Sequence, residues 1–190
     1  VQKEAGDGTA GIVLSYSLAP GKQYPRQLKQ AIALMSYLII EAGKKPEDIL
    51  LVGDSAGANL ILGIISHLLH PHPDASIPPL DMDSPLKGAV LVSPWVTFSS
   101  VSASYMTNRK KDFFNQEVLA KWGRYYMGTA APDAYNQPGT TNAKWWQGME
   151  AKIRDVLVTS GENEVMFDDT RTFSETLKVS PLMTTMSSQA

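Results

Sequence analysis

Ile49-Leu50-Leu51-Val52-Gly53-Asp54-Ser55-Ala56-Gly57 is the stretch that decides the fold. Its four leading apolar residues suit a short buried strand. A helix is predicted directly afterwards, from Ser55 or Ala56 to about Leu69. It is apolar nearly all round (Leu60, Ile61, Leu62, Ile64, Ile65), as expected of a helix in the middle of a domain. Gly-x-Ser-x-Gly at a strand-to-helix turn holds a serine on a strained corner with its hydroxyl lifted above the sheet edge. Bulky side chains two positions either side would collide there, a demand that Gly53 and Gly57 answer. The same turn aims the Ala56 N–H at negative charge developing on a substrate oxygen, and the helix N-terminus adds a favourable field. Neither GxGxxG nor GxxxxGK[ST] lies nearby, which disfavours a phosphate cradle.

Three further runs, Ile12-Val13-Leu14, Ala89-Val90-Leu91-Val92 and Val156-Leu157-Val158, are short, β-branched and continuous rather than alternating. They read as strands of a parallel sheet, buried on both faces. A helix is predicted from Pro25 to Ala42, with Leu28, Ile32, Met35 and Ile39 on one stripe, Pro25 in its first turn and Gly43 just past its end. Strands alternating with helices imply an α/β, doubly wound, mostly parallel sheet. Residues 71–85 turn to Pro, Asp and Ser, a surface loop. Residues 101–148 read as a helical, lid-like insertion between two strands. Its Trp122, Tyr125, Tyr126, Trp145 and Trp146 are either a pocket wall or ordinary packing. A last helix is expected from about Asp169 to Lys178, with an irregular tail at 179–190. The whole, 1–190, reads as a single partial domain.

Composition narrows the function classes. The chain has 190 residues, 43% hydrophobic and 19% charged, with a net charge of −2. That balance argues against nucleic acid or an anionic membrane as partner. No uninterrupted apolar window reaches the roughly 18 residues of a membrane span. With no cysteine, a thiolate nucleophile, a disulfide framework and Cys-ligated zinc are excluded. Val1 to Gly6 lacks the basic-then-apolar form of a signal peptide. Both ends read as cut, so the compartment stays open, with the cytoplasm as the default expectation.

Tyr16-Ser17-Leu18-Ala19-Pro20, then Tyr24-Pro25, then Pro46 to Gly57 with its Gly-Asp-Ser-Ala-Gly core, and finally Ser93-Pro94-Trp95, resemble the hormone-sensitive-lipase-like esterases of the α/β-hydrolase fold. The resemblance covers most of residues 11–178. It implies a serine esterase acting on small carboxylic esters through an acyl-enzyme, with Ser55 as nucleophile, Ala56 in the oxyanion hole and Gly53, Asp54 and Gly57 forming the elbow. Family spacing places the acid at Glu164, where aspartate is more usual, with Asp168 as runner-up. Asp168 and Asp169 otherwise read as a helix N-cap and first-turn charge. No metal or organic cofactor is implied, and the oligomeric state is left open.

The sequence also departs from that pattern. Ser17 and Gly21 stand where the family has arginine and glutamate. No His-Gly-Gly-Gly segment precedes Ile12, and no histidine follows His72. His67, His70 and His72 lie together, and His67 is about 12 helical residues from Ser55, or about 18 Å. That is too far for proton abstraction. They read instead as imidazoles near a helix C-terminus, whose dipole welcomes partial positive charge, with a metal site disfavoured. Losing the base of a serine triad costs about 10⁶ in rate and losing an oxyanion donor about 10²–10³. The chain is therefore expected to be catalytically inactive as it stands. Two alternatives remain: a non-catalytic small-molecule-binding protein on the same fold, and an acyltransferase or thioesterase.

Overall fold

The computed structural model describes residues 8–178 and the backbone of 185–189. The first helix, α1 (Arg26–Ser36), follows Pro25, which sits one position before it, and passes into a π-helical turn at Tyr37–Glu41. Gly43 ends that turn at φ +62°, a conformation that suits a residue without Cβ. Leu28, Ala31, Ile32 and Met35 are buried, so the predicted stripe is the face that packs inward. Then come β1 (Leu50–Asp54), α2 (Ala56–Leu69), β2 (Gly88–Val92), α3 (Ser104–Thr107), α4 (Gln116–Met127), β3 (Val156–Gly161), α5 (Phe167–Leu177) and β4 (Thr185–Gln189). The insertion after β2 holds two α-helices and short 3-10 turns at Pro138–Thr140 and Ala143–Trp146. Among the described residues no helix is long and apolar enough to cross a membrane.

The four strands are parallel and lie in chain order, β1-β2-β3-β4. Leu51, Ala89 and Val156 share one row across the sheet, and Val52, Val90 and Leu157 share the next. Residues on the first face, including Ala89, Leu91, Val156 and Val158, are buried. They join Leu28 and Ile32 of α1, Leu62 and Ile65 of α2, Phe173 and Leu177 of α5, and Trp146 in one core. Each such fully buried aliphatic or aromatic side chain contributes about 1.5–3 kcal/mol.

Three sequence expectations are corrected here. Among the described residues the strands are covered on one face, not two: Val52 is 66% and Leu157 36% exposed. Ile12-Val13-Leu14 form no strand, and Val13 is 92% exposed. A strand needs a neighbour's ladder, and β1 does not pair with these residues. Conversely, residues 185–189, expected to be irregular, form β4 on the far edge of β3. Thr, Met, Ser, Ser and Gln give no apolar signal, and the ladder of β3 supplies what local propensity does not.

The histidines close the far end of α2. The His67 ring is buried; its Nδ1 accepts from the His72 N–H (3.0 Å), and its Nε2 lies 3.1 Å from the Pro78 carbonyl. His72 Nδ1 accepts from the Asp74 N–H, and its Nε2 lies 2.8 Å from Tyr24 Oη, which donates to Asp133. One proton arrangement satisfies all of these contacts: both imidazoles neutral, with the proton on Nε2. Burial holds both imidazoles below their ordinary pKa of 6.5, and burial together with Asp133 raises the Tyr24 phenol. At His67 and His72 burial works against the partial positive charge that a helix end favours.

The folded state therefore binds fewer protons here than the unfolded chain. The contribution of these imidazoles is present above pH 6.5 and is lost as the pH falls below it. Urea unfolding followed from about pH 7.5 to about 5.5 should show a falling midpoint, and a shallower fall in His67→Gln. Equal slopes for the two proteins would contradict this arrangement.

Candidate active site

The turn between β1 and α2 is tight enough to dictate its residues. A Cβ on Gly53 would stand 2.6 Å from the Gly57 carbonyl carbon and oxygen and 2.7 Å from the Ala58 nitrogen. Only glycine permits that approach. Gly57 differs: a Cβ there would meet nothing within 4 Å. Its backbone is what Gly53 approaches, so the steric demand inferred for both glycines falls on one.

Ser55 takes φ 52° and ψ −110°, a strained conformation for a residue with a side chain. Neighbours on two sides hold it there. Its N–H donates to the Val92 carbonyl (2.9 Å), and its own carbonyl accepts from the N–H groups of Asn59 (3.0 Å) and Trp95 (3.3 Å). The buried Asn59 side chain reinforces the corner by donating to the carbonyls of Trp95 and Asn136. Ala56 opens α2, so its N–H has no acceptor one turn earlier and points out of the helix start. Asp54 is exposed at the end of β1.

Glu164 lies in the turn after β3. Its Oε1 accepts from Ser93 Oγ (2.7 Å) and the Gly161 N–H (2.8 Å), while Oε2 has Ser160 Oγ at 3.4 Å. Register puts Asp54, Val92 and Thr159 in one row, so Ser55, Ser93 and the Glu164 turn all emerge at the carboxyl ends of adjacent strands. Two strand spacings, about 10 Å, separate the first from the third. A serine and a carboxylate so placed do not touch. The gap suits a bridging ring with a hydrogen bond of about 2.8 Å on either side.

Asp168 is engaged elsewhere. Its carboxylate accepts from the Ser104 N–H (2.8 Å) and pairs with Arg171 (3.1 Å), and its N–H donates to Ser104 Oγ. Neither Asp168 nor Asp169 caps α5. The cap position is Met166, and both aspartates occupy the first turn. Burial raises the Asp169 carboxyl; the Ser102 hydroxyl partly offsets this, and neighbouring Asp168 adds to it.

Sequence reasoning assigned no role to the residues that clamp the insertion onto the Glu164 turn. Asn108, buried, donates from Nδ2 to the carbonyls of Glu162 (3.0 Å) and Glu164 (2.8 Å). Asp112 accepts from the Val165 N–H (2.7 Å), and Ser104 Oγ donates to the Val165 carbonyl (2.6 Å). Scattered polar residues in a loop carry no periodic signal, so these contacts were legible only in three dimensions. The aromatic residues divide differently than expected. Trp146 is in the core against Phe173, and Trp145 stacks on His70 with its Nε1 donating to Ser66, near the distal end of α2. Trp122 and Tyr125 are exposed. Trp95, whose N–H binds the Ser55 carbonyl, starts a run of rings through Phe98 to Tyr126, with centroids 4.5 and 5.8 Å apart in succession. Among the described residues, no group of three His, Cys, Asp or Glu side chains stands where it could hold a metal ion.

Comparison with known proteins follows the same lines. The chain is 30% identical over 165 residues to an esterase of Acinetobacter venetianus, covering 86% of this chain and 49% of that protein. It is 26% identical over 171 residues to an acetyl-hydrolase of Streptomyces hygroscopicus, covering 88% and 51%. The chain thus spans about half the length of these relatives. The structure of an esterase from the bacterial hormone-sensitive lipase family superposes with a TM-score of 0.76 at 25% identity, covering 92% of this chain and 54% of that one. A model of the alpha/beta hydrolase fold matches residues 7–186, and the chain belongs to that family.

Proposed function

We propose that the whole protein hydrolyses small carboxylic esters through an acyl-enzyme on Ser55. The observation that carries this reading is the strained corner at Ser55, which turns a serine out at the strand ends beside a helix N-terminus. Similarity to proteins named esterase and acetyl-hydrolase supports it. Ser55 Oγ attacks the ester carbonyl while an imidazole takes its proton, and the Ala56 N–H receives the developing oxyanion. The imidazole then protonates the departing alcohol, and water hydrolyses the acyl-enzyme by the same steps. Glu164, held at the right separation by Ser93 and Gly161, orients the ring and stabilises its positive charge.

The imidazole is not one of the three in this chain. His67, His70 and His72 are committed at the distal end of α2, where His67 and His72 are wired to backbone N–H groups. In this reading Ser55, Glu164 and Ala56 are the nucleophile, the acid and an oxyanion donor among the described residues, and the base is a histidine that residues 1–190 do not contain.

This division makes opposite predictions for two proteins. In the whole protein, Ser55→Ala should lower kcat for p-nitrophenyl acetate by about 10⁶-fold and Glu164→Gln by about 10⁴-fold. The isolated 190-residue chain should show no turnover above that of its Ser55→Ala variant. Turnover by the isolated chain that vanishes on Ser55→Ala would place a base within these residues. A whole protein insensitive to Ser55→Ala would remove Ser55 from the chemistry and favour a binding role for the same fold.

A further inference from the structure

Ser93 makes or breaks no bond in this scheme, yet its backbone is strained as that of Ser55 is. It follows β2 directly. Its N–H extends the ladder to the Thr159 carbonyl at 2.7 Å, and its φ is then +43°, in the region that favours glycine. A residue with a side chain bears that cost, and the side chain is a hydroxyl aimed at a carboxylate. Ser93 is only 9% exposed, and its Oγ donates to Glu164 Oε1 at 2.7 Å, a short, charge-assisted bond shielded from water.

We propose that Ser93 is a positioning residue that fixes the rotation of the Glu164 carboxylate, so that Oε1 is anchored and Oε2 is presented to the catalytic imidazole. The two oxygens are unequally served. Among the described residues Oε1 receives both short bonds, from Ser93 and from the Gly161 N–H, and Oε2 has only Ser160 Oγ at 3.4 Å. Two donors on one oxygen set the plane and twist of the group, which one donor would leave free to turn. Gly161 is part of the same device, since a Cβ there would lie 2.9 Å from Oε1. Glutamate has one more rotatable bond than the aspartate usual at this place in the resembling family, and an extra anchor is what that freedom requires. The inference rests on reading Glu164 as the acid.

Ser93→Gly in the whole protein provides the test, because glycine deletes the hydroxyl while relieving the positive φ. Expected are a kcat for p-nitrophenyl acetate lowered about tenfold, an unchanged KM, and a Tm no lower than the parent's. Added to Glu164→Gln, Ser93→Gly should cost nothing further, since the group it positions is already compromised. An unchanged kcat, or the same tenfold loss in the Glu164→Gln background, would overturn the proposal. Ser55→Ala measured alongside separates the two failures. If it leaves turnover intact, the reading of the site fails and this inference fails with it. If it abolishes turnover while Ser93→Gly is silent, the positioning role alone is wrong.

Discussion

The approach of the Gly53 Cα to the backbone of Gly57 and Ala58 is the constraint on which the rest of the site depends. It lets a strand turn into a helix within one residue, and that residue, Ser55, absorbs the strain at φ 52°. Such strain persists only where surroundings over-determine the geometry. Here the Val92, Asn59 and Trp95 backbone groups bind Ser55 from the neighbouring strand, from the helix and from the chain beyond β2. The apolar bulk of α2 then fixes the helix against the sheet, with Leu62 and Ile65 fully buried. Packing energy spent along the helix holds a costly conformation at its tip.

The second half of the site is built differently. Glu164 sits in a turn, and turns are mobile unless tied. Asn108, Asp112 and Ser104 of the insertion hold the backbone of this turn, and Ser93 and Gly161, at the ends of β2 and β3, hold the carboxylate. The insertion is thus joined to the Glu164 turn by polar contacts, and it also carries exposed Phe113 and Trp122.

The strand-turn-helix at 49–69 was legible in the sequence because three signals coincide there: a continuous apolar run, glycines two residues either side of a serine, and an almost uniformly apolar helix. The stripe of α1 and the inward faces of β2 and β3 were legible for the same reason. Glu164 was proposed as the acid from family spacing alone, as a lone carboxylate among Glu162, Glu164, Asp168 and Asp169 has no local distinction. Misreadings fall where tertiary context overrides local pattern. Residues 12–14 look like a strand but lack a ladder, while 185–189 do not look like one and receive it from β3. Val52 and Leu157, read as buried on both faces, lie on the face that the described helices leave open. The histidines were read by their helix end, and the hydrogen bonds that seat His67 and His72 leave no trace in sequence. Ser93 was noticed only as part of a matching tripeptide, because positive φ and a partner 71 residues away leave no trace in sequence.

The most direct measurement of the central claim compares thermal unfolding of Gly53→Ala and Gly57→Ala. Both replace a glycine of the same motif by the same residue, four positions apart. A Cβ at 53 meets backbone that cannot yield without unwinding the start of α2, whereas a Cβ at 57 enters open space. The account predicts that Gly53→Ala lowers Tm by about 10 °C or abolishes a cooperative transition, as expected for a loss of about 3 kcal/mol or more. It predicts that Gly57→Ala melts within about 3 °C of the parent, since alanine is the better helix former. Equal effects of the two, or a Gly53→Ala chain that melts like the parent, would contradict it.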